Sequence, residues 1–520
     1  VRDSTYMVSY ILRRILVSIL ILIAASFIMY VLAANSGDPL MDLRASNAPN
    51  AEQLIAARVA ALDLDVPPPL RWFLWLSGAA GCLVPFADMC NLGLTISNAQ
   101  VTTILPTAMW STVQLVSVSL VLAIILGVIV GIVTALRQYS GFDVSMTFVS
   151  FFLYSLPSFL VAVLLKEFIA IGFNNFLQVD PTLSALAVIG IGVIVGLIWQ
   201  VLIGGNFRRR LVVFGVSGAS TAALLAFLSA TGWFLQPSLG PIGLLILILA
   251  LAVGTVAILS GLSHRRSLIV AGINAAIAYV CYFALQGLFD ISSLGTILIL
   301  GLVAVAVGVG IGYIFGGNDR AQTMKVGGIV AFGSAALVLI DRFMQSWHTY
   351  ISLPRIANRP IATVGSSTPG FNNDFWVTSI DSFTHLLLPT VSLLLISFAG
   401  YTRYARAGLL EVMNLDYIRT ARAKGLPERT VIVRHAFRNM LIPIATLVAV
   451  DVGALLGGAV ITEYVFAIPG MGQLFNASLQ RVDLNPIMGY FLVIAILAIA
   501  FNFIADLAYA VLDPRVRVRA

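Results

Sequence analysis

Four ionisable side chains stand inside otherwise apolar runs of this sequence. Lys166 and Glu167 are adjacent in "VLLKEFIAI", Asp451 lies in "TLVAVDVGALLGG", and Asp506 lies in "NFIADLAY". A charge at the centre of such a run costs about 2.5–3.5 kcal/mol on insertion scales, so each is a candidate for function. On a helix, Lys166 and Glu167 would point about 100° apart, so a partner on another helix suits each better than its neighbour does. Two roles fit these positions. One is a polar lining for a translocation path. The other is a structural ion pair or hydrogen bond between helices.

Other chemistries find little support. The four histidines, His264, His348, His385 and His435, are scattered without metal-ligand spacing. The sequence has no H-E-x-x-H, no G-x-S-x-G and no paired carboxylate site, so no enzyme is indicated. It also lacks G-x-x-x-x-G-K-[ST], whose backbone would cradle a nucleotide's phosphates. Any ATP and Mg must therefore bind another chain, and this chain is expected to hold no cofactor or metal. Cys82 and Cys90, in "CLVPFADMC", are a disulfide candidate if that segment lies outside the membrane, with two free thiols the alternative. Cys281 sits in an apolar run and reads as a packed small residue.

The elements that must position these residues are membrane helices. Of 520 residues, 59% are hydrophobic and only 10% charged, and the mean hydropathy is +0.99. A soluble domain carries about a quarter charged residues. Apolar runs near the ~20 residues needed to cross a bilayer recur along the chain, long and continuous rather than short and alternating. Twelve spans are predicted, near 11–34, 104–136, 146–172, 183–203, 211–231, 241–262, 268–288, 294–315, 326–345, 385–408, 440–461 and 486–511. The first follows Arg13-Arg14 and is too long for a signal-peptide core, so an uncleaved span is expected.

Arginine placement sets the orientation. With the N-terminus in the cytoplasm, 22 of the 30 Lys and Arg residues fall at cytoplasmic ends and seven outside, with Lys166 within a span. That bias is the usual signature of topology, so the net charge of +7 speaks for membrane orientation and lipid contact rather than nucleic acid. Both termini are then cytoplasmic. Two outer segments, about 36–103 and 346–384, are too long for simple turns. Segments of this length are expected to have some structure or to bind something, and the alternative of a disordered polar loop suits 357–374 better than 54–76.

One inner loop has more than charge. "RTARAKGLPERTVIVRHAFRN", Arg419–Asn439, holds six of the 30 basic residues. "GLLEVMNLDYIRTARAK" before it reads as a helix continuing inward from the tenth span. Gly425 suits a left-handed helix end, and Pro427 the first turn of the next helix. Together they predict a helix–turn–helix elbow, a shape suited to a protein partner. A basic loop held by anionic headgroups is the plainer alternative.

"DYIRTARAKGL" with "RHAFRNMLIP", "GGAVITEYVFAIPGMGQL" and "DLAYAVLDPRVR" resembles the permease subunits of bacterial ABC importers, in the dipeptide/oligopeptide/nickel branch. "YILRRI", "GDP" and the second and third spans extend the likeness, over about 1–178 and 380–520. The general signature begins Glu-Ala-Ala; here the triplet is Arg419-Thr420-Ala421, with Gly425 at the matching spacing. The resemblance implies an all-α polytopic protein with a six-helix type I importer core and six added spans. It implies that Asp416, Tyr417, Arg419, Thr420, Ala421, Arg422, Ala423, Lys424, Gly425, Leu426 and Pro427 couple to an ATPase subunit. Glu463 falls in the part that resembles the outer gate, and joins Asp451, Lys166 and Glu167 as a translocation-path candidate. The implied organisation is 1–178 and 385–520 as core halves, with the coupling loop at 411–438. Between them come an insert at 179–345 and an extracytoplasmic segment at 346–384.

The implied partners are a second homologous permease, two ATPase subunits and an extracytoplasmic substrate-binding protein. The implied setting is the bacterial inner membrane, and the implied cargo is di- or oligopeptides, with nickel, glutathione or haem as alternatives. The insert must add an even number of spans, or the elbow would face away from any ATPase. From another class, an ion-coupled secondary transporter using Asp451 and Asp506 would need no ATPase.

Overall fold

The computed structural model describes residues 2–46, 49–82, 90–371 and 373–512. The basic tail "DPRVRVR" lies outside these, and nothing is described of the Asp506 side chain. Among the described residues the fold is all-α, and twelve helical stretches are long and apolar enough to cross a membrane.

The first span is in α1 (Arg2–Ala34). It leads into a folded segment with three short helices, α2 (Met41–Arg44), α3 (Ala51–Ala61) and α4 (Pro68–Gly81). Pro68 and Pro69 suit the opening turn of α4, where a backbone N–H is not needed. Trp72 and Trp75 of α4 are buried with Tyr30 of α1, and Trp72 Nε1 donates to Ser26 Oγ at 3.3 Å. Cys82 and Cys90 are joined in a disulfide.

The long α5 (Val101–Leu136) is followed by α6 (Gly141–Ser155). The third span therefore starts later than the run from 146 predicts. Pro157 cannot donate into a helix and forces Leu156 into extended backbone (φ −80, ψ 133). The span resumes as α7 (Ser158–Leu164), a π-turn over Leu165–Ile171, and α8 (Gly172–Val179).

Six more spans follow, in two groups. α9 (Ala185–Ile203) and α10 (Phe207–Ala230) pair with each other, and α9 packs on α6. Four long helices form a separate group, α11 (Gly240–Leu259), α12 (Arg265–Ala284), α14 (Leu294–Phe315) and α15 (Arg320–Ile351), with the short α13 (Gln286–Asp290) between α12 and α14. Leu244, Ile248, Val256, Val326 and Val330 make their core.

Trp376 joins that core from α16 (Phe375–Met413) and donates Nε1 to the Phe289 carbonyl at 2.7 Å. Residues 357–371, where the composition suits a disordered polar loop, are instead held in place by hydrogen bonds. Asn174 exchanges two hydrogen bonds with the Ile361 backbone, Gly365 N donates to Phe466 O at 2.8 Å, and Thr368 donates twice to the buried Asp381. Tertiary partners on α8 and α16 supply the order that local sequence does not.

α5 and α16 run parallel as the central pair. A side chain at Gly127 would meet Tyr401, and one at Gly131 would meet Ala405, so glycine four residues apart lets the backbones approach. The chain ends with α17 (Asp416–Ala423), α18 (Glu428–Thr430), a π-turn over Val431–Ala436, and α19 (Phe437–Gly458). Then come α20 (Val460–Phe466), α21 (Met471–Gln480) and α22 (Leu484–Leu512).

Candidate functional site

The elbow begins with a break, where the sequence predicts one continuous helix through Lys424. α16 stops at Met413 because Asn414 turns back to give its side-chain N–H to Leu410 O at 3.0 Å, and Leu415 is extended (ψ 149). α17 then lies as its own short helix. It ends in a Schellman motif: Gly425 N donates to Arg422 O at 2.9 Å and Leu426 N to Ala421 O at 3.4 Å. That geometry needs a residue at positive φ, and Gly425 supplies it at +75. Pro427, extended at ψ 140, caps α18 rather than opening its first turn: Thr430 N and Val431 N both donate to its carbonyl. Across the turn, Arg422 donates twice to Glu428, at 2.6 and 3.2 Å.

Burial divides the predicted coupling residues. Ile418 and Ala421 face inward and pack with Val431, Ala436, Met440, Ala405 and Leu409. Asp416, Tyr417, Arg419, Thr420, Arg422, Ala423, Lys424, Gly425, Leu426 and Pro427 are exposed. Ala421 thus seats the elbow, and the others form its outer surface. Tyr417 is steadied by Asn439 Nδ2, 2.7 Å from its hydroxyl. The result is a small basic surface held rigidly on the α5–α16 core.

A clamp missed in the sequence lies on α16 just before the elbow. Arg406 makes a forked pair with the buried Asp143 on α6, at 2.8 and 3.1 Å. Arg403 lies 4.8 and 4.5 Å from the ring centroids of Phe151 and Tyr154 on the same helix. Asp143 also accepts from Tyr139 N, and these bonds hold its carboxyl below its usual range, the Arg406 bond above all. Ser140, three residues before Asp143, gave the available signal: its hydroxyl caps α6 by accepting from Asp143 N.

The translocation-path candidates do not converge on one site. Asp451 accepts from the Tyr401 hydroxyl at 2.8 Å, joining α19 to α16. Lys166 donates to Val465 O at 2.9 Å, and Glu167 is exposed on the π-turn. Glu463 is fully buried. Its carboxylate accepts from Thr112 Oγ1 at 2.6 Å, Gly472 N at 2.7 Å and Gln473 N at 3.1 Å. Burial raises its pKa, and those donors partly offset the effect. In this conformation Glu463 clasps α20, α5 and the first turn of α21 together.

A core built on parallel α5 and α16, with an elbow between α16 and α19 and six further spans, defines a polytopic all-α membrane protein of the type I importer permease fold. Residues 350–518 match the family described as "Binding-protein-dependent transport system inner membrane component". The match begins within α15 and so includes the 352–374 loop, ahead of the predicted start near 380. The dipeptide transport system permease protein DppB of Escherichia coli (strain K12) is 44% identical over 138 residues, 26% of this chain and 41% of DppB. The oligopeptide transport system permease protein AppB of Bacillus subtilis (strain 168) is 43% identical over 136 residues, 26% of this chain and 43% of AppB. The oligopeptide transport system permease protein OppB of Mycobacterium bovis (strain ATCC BAA-935 / AF2122/97) is 34% identical over 204 residues, 39% of this chain and 61% of OppB. The chain thus spans less than two thirds of the length of each of these relatives.

Proposed function

We propose that this chain is a transmembrane permease subunit of an ATP-driven importer of di- or oligopeptides, and that α17 with residues 424–427 is the surface an ATPase subunit grips. The observation that carries the reading is the elbow: a short helix with its apolar side seated on the core and its polar side presented on a locked turn. Membrane loops held only by headgroup charge have no need of a Schellman end, a proline cap and an Arg422–Glu428 bridge. The names of the relatives support peptides as cargo.

In this reading residues 1–178 and 385–520 are the two halves of the pore-forming core, 179–345 is the insert, and 346–384 connects them outside. Two ATPase subunits, a second permease and an extracytoplasmic binding protein complete the machine. Closure of the ATPases on ATP would push the elbow, and α16, clamped to α6 through Arg403 and Arg406, would carry that motion into the core. Such a cycle is directional only if its two states bind ligand and partners differently. Both termini and the elbow face the cytoplasm. Asp451, Lys166 and Glu167 remain candidates for the path.

The test is co-purification and uptake. The chain, extracted in mild detergent from its native host, should bring down a nucleotide-binding partner, and a cysteine at Arg419 should crosslink to it. Arg419→Glu with Lys424→Glu should abolish both crosslinking and peptide uptake while leaving the amount of inserted protein unchanged. Uptake that survives the double change would remove the docking role.

A further inference from the structure

At the end of the molecule away from the elbow, the end of α1, the 61–63 turn, α4, residues 91–94 and the start of α22 line an open cavity of about 280 Å³. Neither the elbow nor the Glu463 clasp contributes to it. Its polar lining includes Tyr30, Asp63, Arg71, Trp75, Asn91 and Asn485. Two of these are buried N–H donors without acceptors. Arg71 is 8% exposed, and its Nε has no hydrogen-bond partner. Its guanidinium reaches the Leu62 carbonyl only at 3.5 Å and lies 5.9 Å from the Tyr30 ring centroid. Among the described residues no carboxylate forms an ion pair with it. Trp75 is 7% exposed, and its Nε1 is likewise unpaired.

A buried guanidinium without an anion is unfavourable, and an unpaired one in a native protein calls for a partner that completes it. The guanidinium fork matches a carboxylate with two parallel hydrogen bonds, and an indole N–H can add a third. The cavity is many times the ~30 Å³ share of one water, so it has room for more than a lone ion. Asp63 is exposed and held in left-handed backbone (φ 51), adding a negative charge to a cavity that Arg71 also lines. We propose that this cavity binds a small zwitterion of amino-acid size, its carboxylate on Arg71 and Trp75 and its ammonium toward Asp63. The site needs no other chain, so it stands whether or not the transport reading holds.

Binding to the full-length chain in nanodiscs is measured calorimetrically with L-alanine, L-alaninamide, N-acetyl-L-alanine and inorganic phosphate. L-alanine should saturate one site. Removing the carboxylate, as in the amide, should weaken binding at least about tenfold, because two buried donors are left unpaired. Arg71→Gln should do the same. Should that variant fold poorly, Asp63→Asn serves instead, since it changes an exposed side chain. It should weaken L-alanine about threefold or more, and leave N-acetyl-L-alanine unchanged. Equal binding of L-alanine and its amide would overturn the assignment. So would displacement of L-alanine by an equal concentration of phosphate, an unchanged ratio in Asp63→Asn, or no saturation by about 10 mM.

Discussion

Two aspartates outside the spans respond to pH in opposite senses. Asp143, 3% exposed, has its pKa lowered by Arg406. Its stabilising contribution is therefore present above the ordinary carboxylate value near 3.8 and is lost as pH falls below it. Arg406→Ala should cost about 2 kcal/mol at neutral pH, since it strands a buried carboxylate that keeps the Tyr139 N–H. A fall in the detergent-solubilised melting temperature would report that loss, and no fall would make the clamp dispensable. Asp483 is the reverse case. Burial pushes its pKa to about 6, Ile96 N donates to one oxygen at 3.0 Å, and the other has no partner. A raised carboxyl pKa favours the folded state fully below 3.8, and that advantage is lost as pH rises through about 6. Asp483→Asn keeps an acceptor for Ile96 and should stabilise the protein at pH 7.5, by about 3 kcal/mol at most. It should also flatten the melting temperature between pH 4 and 6.5. A variant with an unchanged pH profile would mean that Asp483 does not titrate there. Of the residues that matter locally, the sequence marked those whose chemistry is odd for their surroundings, such as Asp451 and Lys166. It could not mark Asp483, Arg71 or Arg406, because long-range packing, not local pattern, makes them unusual.

The helices themselves were nearly all legible, because a membrane requires a continuous apolar run for each. Departures arise where the chain breaks without losing hydrophobicity. Leu156-Pro157 interrupts one run yet remains apolar, and Asn414 ends α16 inside a stretch with good helix formers on both sides. Within the elbow, Gly425 was readable because its role depends on backbone alone, and Pro427 marked the break although it caps α18 rather than opening its first turn. The inward face of Ala421 was not, because it depends on what α17 lies against. Gly425 has open space where a side chain would go, so Gly425→Ala faces only backbone strain, about 1 kcal/mol. Gly425→Pro would also remove the N–H given to Arg422 O. The alanine variant should retain most coupling, and the proline variant none, by uptake assay. Equal activity in the two would show that the turn's shape is irrelevant. A similar contrast applies to α21. Glu463→Ala leaves Thr112, Gly472 and Gln473 without their shared acceptor and should cost about 3–5 kcal/mol. Glu463→Gln keeps an acceptor for the α21 amides and should cost less than half as much, measured by thermal unfolding in detergent.

At the scale of the whole molecule, the six added spans behave as two units with different attachments. The α9–α10 hairpin is the looser one. α10 has no buried residue among those described, and the hairpin packs on the core through α9 against α6. The chain enters and leaves it at nearly the same place, since Phe176 and Phe234 stack edge to face with centroids 5.2 Å apart. The four-helix group is tied in far more firmly, through Trp376 of α16 in its core and the Trp376–Phe289 hydrogen bond. Removing residues 181–231 therefore takes out two spans, preserves the parity that sets the elbow's face, and exposes little apolar core. Removing 235–350 would strip Trp376 of its surroundings and leave α16 unsupported. The shorter deletion should insert normally and melt within a few degrees of the full chain, whereas the longer one should not accumulate as folded protein. With Arg419→Cys as reporter in a Cys281→Ser background, a membrane-impermeant maleimide should label the elbow from the same side before and after the hairpin is removed. Deleting α10 alone should move the label to the other side. If the hairpin deletion unfolds the protein as badly as loss of the four-helix group, the insert is one cooperative unit.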